Sequence, residues 1–265
     1  EGGYGSQRLA SYYADYWAGV GPMAGGEPLK NAPVENCANL AFSFLTGAMD
    51  EGFYRNKLTG YTKTAFDSLQ AKYAGRLMNH SADSLFRHRI ELIPNCGHSI
   101  DYSLTTPWLK TYKRNPYPHT LMWEDYPMDG QRRQGFYNLY VMKRPKEADG
   151  LKDASGEDRD YYEMDIKDNV IRLSVRKVTY QTVERDPVYG IDLKFTKSYH
   201  QASGGKWKIY LNDQLVDMNK PVTVFINDRK AFEGKLVPRM EDMITSCMEY
   251  FDPCRVFPAS VDVAL

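Results

Sequence analysis

The spacing of apolar and polar positions changes character near the middle of the chain. Residues 1 to about 112 alternate turns of small residues, apolar runs of strand length and amphipathic stretches, the pattern of a parallel βα sheet. Leu9, Ala10, Tyr13 and Trp17 fall at helical spacing and predict a helix over Ser6–Tyr16, leading out of the Gly-rich opening EGGYG. The run AGVGPMAGG reads as a short buried strand ending in glycines, and Asn39–Leu45 as a second strand. That second strand closes on Thr46-Gly47-Ala48-Met49-Asp50-Glu51, so Asp50 is expected at its carboxyl end. Residues 57–74 put Leu58, Tyr61, Ala65, Phe66, Leu69 and Tyr73 on one helical face. Arg89–Pro94 then predicts a third strand, with His98 just beyond it.

A Pro- and aromatic-rich stretch over 105–130 marks a domain boundary, set at 115/116. Beyond it, GFYNLYVM, YYEMDI, VIRLSV, GIDLKFT, KWKIYLN and VTVFIND alternate apolar and polar residues between turn signals. Residues 116–265 are therefore expected to form an all-β, mostly antiparallel, sandwich-like domain. One helix interrupts it at 238–251, where Met240, Met243, Ile244, Cys247, Met248 and Phe251 repeat every three or four positions and read as a core stripe. Asp149–Asp160 is polar enough to read as a mobile loop.

Three features thus stand at the carboxyl ends of successive strands, where open α/β sheets bind ligands: the Gly-rich opening turn, Asp50 and His98. Their order is that of a nucleophile elbow, an acid and a histidine. With EGGYGSQRLASYYADYWAGVGPMAGG, FLTGAMDE and IELIPNCGH, residues 1–115 resemble the C-terminal half of an α/β-hydrolase of the serine esterase and prolyl-oligopeptidase-like kind. The resemblance implies that Glu1, Gly2 and Gly3 follow a nucleophilic serine lying upstream of residue 1, and that the backbone of Glu1 supplies an oxyanion-hole donor. It makes Gly2 and Gly3 the elbow glycines, His98 the general base and Asp50 its orienting carboxylate. It implies a small ester or peptide substrate, no cofactor and no metal, and a bacterial, periplasmic or secreted setting. The sheet edge where the nucleophile strand belongs is expected to be covered by a missing N-terminal half or by a contact between copies. LNDQLVDMNKPVTVFINDRKAFEGKLVPRMEDMI is similar to β tails that follow such domains.

Each of these residues has a plainer reading. An Asp after a strand is commonly a turn former, Glu51 is an adjacent carboxylate, and a lone His after Gly is usually a loop residue. Ser6 lacks the elbow's following glycine and falls inside the expected helix. Cys96 stands two positions before His98, too close to serve as its nucleophile, and inert thiols are commoner than reactive ones. His80, His88, His119 and His200 read as surface or structural residues. An alternative function is a non-catalytic binding protein, in which Trp123, Tyr126, Phe136, Tyr137 and Tyr140 hold a glycan or a partner, although strand aromatics are more often core.

Composition narrows the field further. Lys plus Arg and Asp plus Glu each total 34 in 265 residues, so no basic surface for nucleic acid is indicated. No apolar run is long enough for a membrane helix. The four cysteines lack metal spacing and read as buried thiols, with Cys247 and Cys254 close enough to pair in an oxidising compartment. Asn79-His80-Ser81 matches a glycosylation sequon.

Overall fold

A computed structural model of the chain describes residues 1–76, 84–146 and 157–265. The sequon, His80 and most of the polar 149–160 stretch lie outside them. The chain divides into two compact units, one of Glu1–Asn115 with Tyr180–Thr196, the other of Pro116–Thr179 with Lys197–Leu265.

The first unit opens with helix α1 (Gly2–Tyr12), followed by β1 (Gly19–Val20), β2 (Ala41–Gly47), helix α2 (Arg55–Lys72), β3 (His88–Ile93) and the short helix α3 (Thr105–Leu109). The three strands form a parallel sheet in the order β1-β2-β3. Every residue of β2 is buried, as its unbroken apolar run requires. Phe42 packs on Phe66 of α2 with ring centroids 4.6 Å apart, and Phe66 also contacts Phe86. The sheet edge at β1 is only two residues long and half-buried.

Helix α1 starts four residues earlier than its apolar spacing suggests, and it buries a different face. Gln7, Ala10, Ser11 and Tyr12 point inward, whereas Leu9, Tyr13 and Trp17 are exposed. The reason is polar. The Gln7 side chain donates to Thr62 and to the Glu27 carbonyl and accepts from the Glu27 amide, while Ser11 donates to the Pro33 carbonyl. In α2 the inward face is Leu58, Thr59, Thr62 and Phe66, so two threonines take places that spacing alone gives to larger apolar residues.

The second unit is built of strands β4 (Thr120–Asp125), β5 (Gly135–Phe136), β6 (Leu139–Lys143), β7 (Arg159–Lys167), β8 (Val170–Arg185), β9 (Asp192–Gln201), β10 (Lys206–Leu211), β11 (Val222–Ile226), β12 (Arg229–Gly234) and β13 (Ala259–Ala264), with helix α4 (Met240–Tyr250) before the last. One sheet runs β13-β10-β6-β5; the other runs β12-β11-β8-β7-β4, with β9 added on β8. Among the described residues of this unit, the β8–β11 pair is parallel, while β4–β7, β7–β8, β11–β12, β5–β6, β6–β10 and β10–β13 are antiparallel. The distal end of the β8–β9 hairpin, Tyr180–Thr196, groups with the first unit.

The aromatic cluster that could have formed a binding wall is core. Trp123 stacks on Phe136 and meets Tyr162, which meets Trp207, so rings from both sheets interlock. Trp123, Tyr126, Phe136 and Tyr137 are all buried, and only Tyr140 is half-exposed. Arg159 and Asp160 are likewise buried strand residues rather than part of a mobile loop. Arg159 donates to Glu124 at 2.8 Å, Lys177 to Asp160 at 2.7 Å and the half-buried Arg144 to Asp125 at 2.8 Å, a set of mutually neutralising charges of which the other five are buried.

Helix α4 also reverses its expected orientation. Asp242, Ser246 and Tyr250 face inward, and the Met240, Met243, Ile244, Met248 and Phe251 stripe faces out. The four cysteines are free thiols. Only Cys37 is buried, Cys96 is half-buried and Cys247 and Cys254 are exposed and unbridged. Truncating an interlocked ring leaves a cavity, so Trp123→Ala is expected to cost the second unit about 3–5 kcal/mol, read by urea unfolding. A loss below about 1 kcal/mol would contradict the placement of this ring in the core.

Candidate active site

The loops after β2 and β3 are drawn together by backbone. Gly47, the last residue of β2, has no room for a side chain, because a Cβ there would lie 2.0 Å from the Gly97 carbonyl oxygen and 2.3 Å from that of Cys96. Across this contact the Ala48 amide donates to Ile93 and the Met49 amide to Cys96, both at 2.9 Å. The Asp50 amide turns back onto the Gly47 carbonyl at 3.0 Å. Asn56 clamps the same loop, its side chain donating to the Ala48 carbonyl and its amide to the Asp50 carbonyl.

The result is a direct contact between two side chains 48 residues apart: His98 Nδ1 lies 2.8 Å from Asp50 Oδ2. Asp50 is buried, while the His98 side chain is 65% exposed. An ionised carboxylate only accepts hydrogen bonds, so Nδ1 carries the proton and, in the neutral ring, Nε2 keeps its lone pair. That arrangement fits a histidine able to take a proton at Nε2.

Arg55, at the start of α2, is the residue the sequence did not point to. Its Nε donates to both carboxylate oxygens of Asp50 at 2.9 Å, and its Nη2 donates to Oδ1 at 2.6 Å. Burial pushes the Asp50 pKa up, but the Arg55 and His98 hydrogen bonds and charges outweigh it and hold the carboxyl below its ordinary value. The Arg55 pKa is raised, first by its hydrogen bond to Asp50. No spacing rule links an Arg five positions after an Asp, so only the turn between them could have revealed the pair.

That turn is strained. Phe53 and Tyr54 both have left-handed backbone, with φ of 50° and 59°, a conformation aromatic residues rarely adopt. The hairpin end Tyr180–Thr196 supports it within the same unit. Tyr54 donates to Asp186 at 2.7 Å, Phe53 packs on Tyr189, Lys57 pairs with Glu184, and Tyr61 donates to Glu184.

Glu1 caps the amino end of α1 and is exposed. It lines a cavity of about 620 Å³ together with Tyr4, Arg8, Phe53, Arg55 and Leu58. Gly3 is required there, since a Cβ would lie 2.2 Å from the Met23 carbonyl oxygen, whereas the space beside Gly2 is open. Of the two expected elbow glycines, close backbone approach therefore requires only Gly3. Ser6 lies within α1. Glu51 is exposed, so Asp50 rather than its neighbour faces His98. His88 is held by Asp67 and the Phe86 carbonyl, His119 by the Gln214 carbonyl and His200 by Thr179. Among the described residues no cluster of His, Cys, Asp and Glu has the form of a metal site.

Comparison with protein-family models, with curated proteins and with solved structures finds no match.

Two outcomes follow from this geometry. Gly47→Ala is expected to separate the two loops and abolish the hydrogen-bonded His98 Nδ1 proton signal in NMR spectra, which an unchanged signal would contradict. Asp50 has a depressed folded pKa, so it contributes stability at pH values above its unfolded pKa of about 3.9 and loses it as pH falls through the lower folded value. Asp50→Asn should therefore be less stable than the parent at pH 7, with the gap closing in acid; a gap that widens toward low pH would reverse the assignment.

Proposed function

We propose that the chain is the C-terminal portion of a serine hydrolase of the α/β-hydrolase type, acting on an ester or peptide bond through an acyl-enzyme. The observation that carries this reading is the 2.8 Å contact between Asp50 and an exposed His98, each just past its own parallel strand. In this reading the nucleophile is a serine immediately before Glu1, at the head of α1. His98 Nε2 takes the serine proton as the hydroxyl oxygen attacks the carbonyl carbon, and later returns it to the leaving group. The negative charge that develops on the carbonyl oxygen is met by the backbone N–H of Glu1. Asp50 fixes the histidine tautomer and stabilises the imidazolium, and Arg55 keeps Asp50 ionised and aligned.

The exposed Leu9 of α1, the exposed Tyr13 and Trp17 just past its end, and the edge position of β1 among the described strands support a further element covering this part of the unit. A missing N-terminal half or a contact between copies would serve. The alternative of a glycan wall built from Trp123 and its neighbours has little support, because Trp123, Tyr126, Phe136 and Tyr137 are buried and Tyr140 alone of the five is half-exposed.

The test is fluorophosphonate labelling of the natural polypeptide that contains this chain, with the adduct located by mass spectrometry. Labelling is expected on a serine directly preceding Glu1. His98→Asn should slow it at least 100-fold, in keeping with the loss of a general base. Failure of the natural polypeptide to label, or a label elsewhere that ignores His98, would rule the mechanism out.

A further inference from the structure

The strained turn after Asp50 helps to shape a cavity. Phe53 keeps a left-handed backbone, φ 50°, and yet its ring is 53% exposed rather than packed into a core. Backbone strain of this kind concentrates at active sites and ligand clamps. Tyr189 packs against the ring, with centroids 5.3 Å apart. Phe53 also lines the cavity of about 620 Å³, which lies wholly within the first unit. That volume falls inside the range of about 300–1,000 Å³ usual for small-molecule sites.

The lining is chiefly apolar, with Tyr4, Pro28, Leu58 and Ile191 standing around the cavity beside Phe53. Its charged side chains are committed elsewhere. Arg55 holds Asp50, Glu27 accepts from Asn31, Arg8 is engaged as well, and Glu1 is exposed to solvent. Apolar walls with no spare charge suit an uncharged group. Position is equally informative. Glu1, whose N–H meets the carbonyl oxygen in the hydrolase reading, lines the cavity, and His98 does not. The leaving group has to sit beside His98 Nε2 to receive its proton, so the cavity lies on the acyl side of the scissile bond.

We propose that this cavity is the acyl pocket, and that the substrates are esters whose acyl group carries an uncharged aromatic ring, laid against Phe53. The inference rests on the hydrolase reading and goes beyond it in naming the substrate class. The serine oxygen bonds to the carbonyl carbon, the bond to the leaving oxygen breaks, and that oxygen takes the proton from His98 Nε2. The aryl group stays in the cavity, esterified to the serine, until water releases it as the free acid. An acetyl group leaves most of this apolar space unfilled, whereas a phenyl-bearing group buries on the order of 150 Å². Phe53 supplies the ring for an offset or edge-to-face contact, which explains why a strained backbone holds an aromatic side chain there.

The test uses the natural polypeptide that contains this chain, with para-nitrophenyl phenylpropanoate and para-nitrophenyl acetate as probes. The kcat/KM values are expected to favour the aryl ester at least ~20-fold, in keeping with burial of one aromatic group. Gly5 also lines the cavity, and a Cβ there meets nothing within 4 Å, so Gly5→Leu fills space without a clash. It should cut the aryl preference at least ~10-fold while Tm stays the same or rises, since leucine is the better helix former. Phe53→Gly should cut the preference at least ~5-fold. Any slackening of the acid turn slows both esters and cancels in the ratio. Equal rates on the two esters, or a preference that ignores both variants, would overturn the acyl pocket, and serine labelling that depends on His98 would still leave the hydrolase reading in place. A polypeptide that neither labels nor cleaves either ester would sink both. A fall in Tm for Gly5→Leu would also count against the pocket, because a further segment of the protein would then fill that space.

Discussion

The geometry of the first unit depends on one backbone contact, the passage of Cys96–Gly97 over Gly47 at the end of β2. Two parallel neighbouring strands bring their carboxyl ends side by side in any case. Only the missing Cβ at Gly47 lets the two following loops touch, so that amides of one donate to carbonyls of the other. Asp50 and His98 inherit their 2.8 Å separation from that contact. Arg55 and Asn56 then fasten the acid loop from the far side, through the side chain and the backbone respectively.

The strain at Phe53 and Tyr54 belongs to the same construction. Turning the chain from Asp50 into α2 within four residues places two aromatic residues in left-handed backbone, a cost of order 1–3 kcal/mol each that surrounding contacts must offset. The offset comes from residues 184–189, more than a hundred positions away, whose carboxylates and ring engage Tyr54, Lys57, Tyr61 and Phe53. The acid loop is thus set by local turn chemistry and steadied by a long-range hairpin.

The two helices that expose apolar residues, α1 and α4, share a physical explanation. In each, a small set of polar side chains is bonded inward: Gln7 and Ser11 in α1, Asp242 and Ser246 in α4. A buried polar group that keeps its partners costs little, while one stripped of them costs more than an exposed methionine or leucine. The hydrogen-bond network therefore fixes the rotation of the helix, and the hydrophobic stripe is left to whatever covers it. In the second unit the same rule operates among charges, where Arg159, Glu124, Lys177 and Asp160 are buried because they neutralise and bond one another.

By itself the sequence determined the period of each segment: helix and parallel strand through the first unit, strand after strand through the second, and Asp50 and His98 at successive strand ends. These are local properties, since alternation and three-to-four spacing are written into neighbouring residues. It also held the glycine at 47, though not its meaning. The tertiary structure alone decided which face of α1 and α4 turns inward, that Trp123 and Phe136 are core, that Arg55 grips Asp50, and that residues 180–196 brace a turn near residue 54. Each of those outcomes depends on a partner distant in sequence. Hydrogen bonds and ion pairs between such partners leave no periodic trace along the chain, and they outweigh the hydrophobic pattern wherever the two disagree.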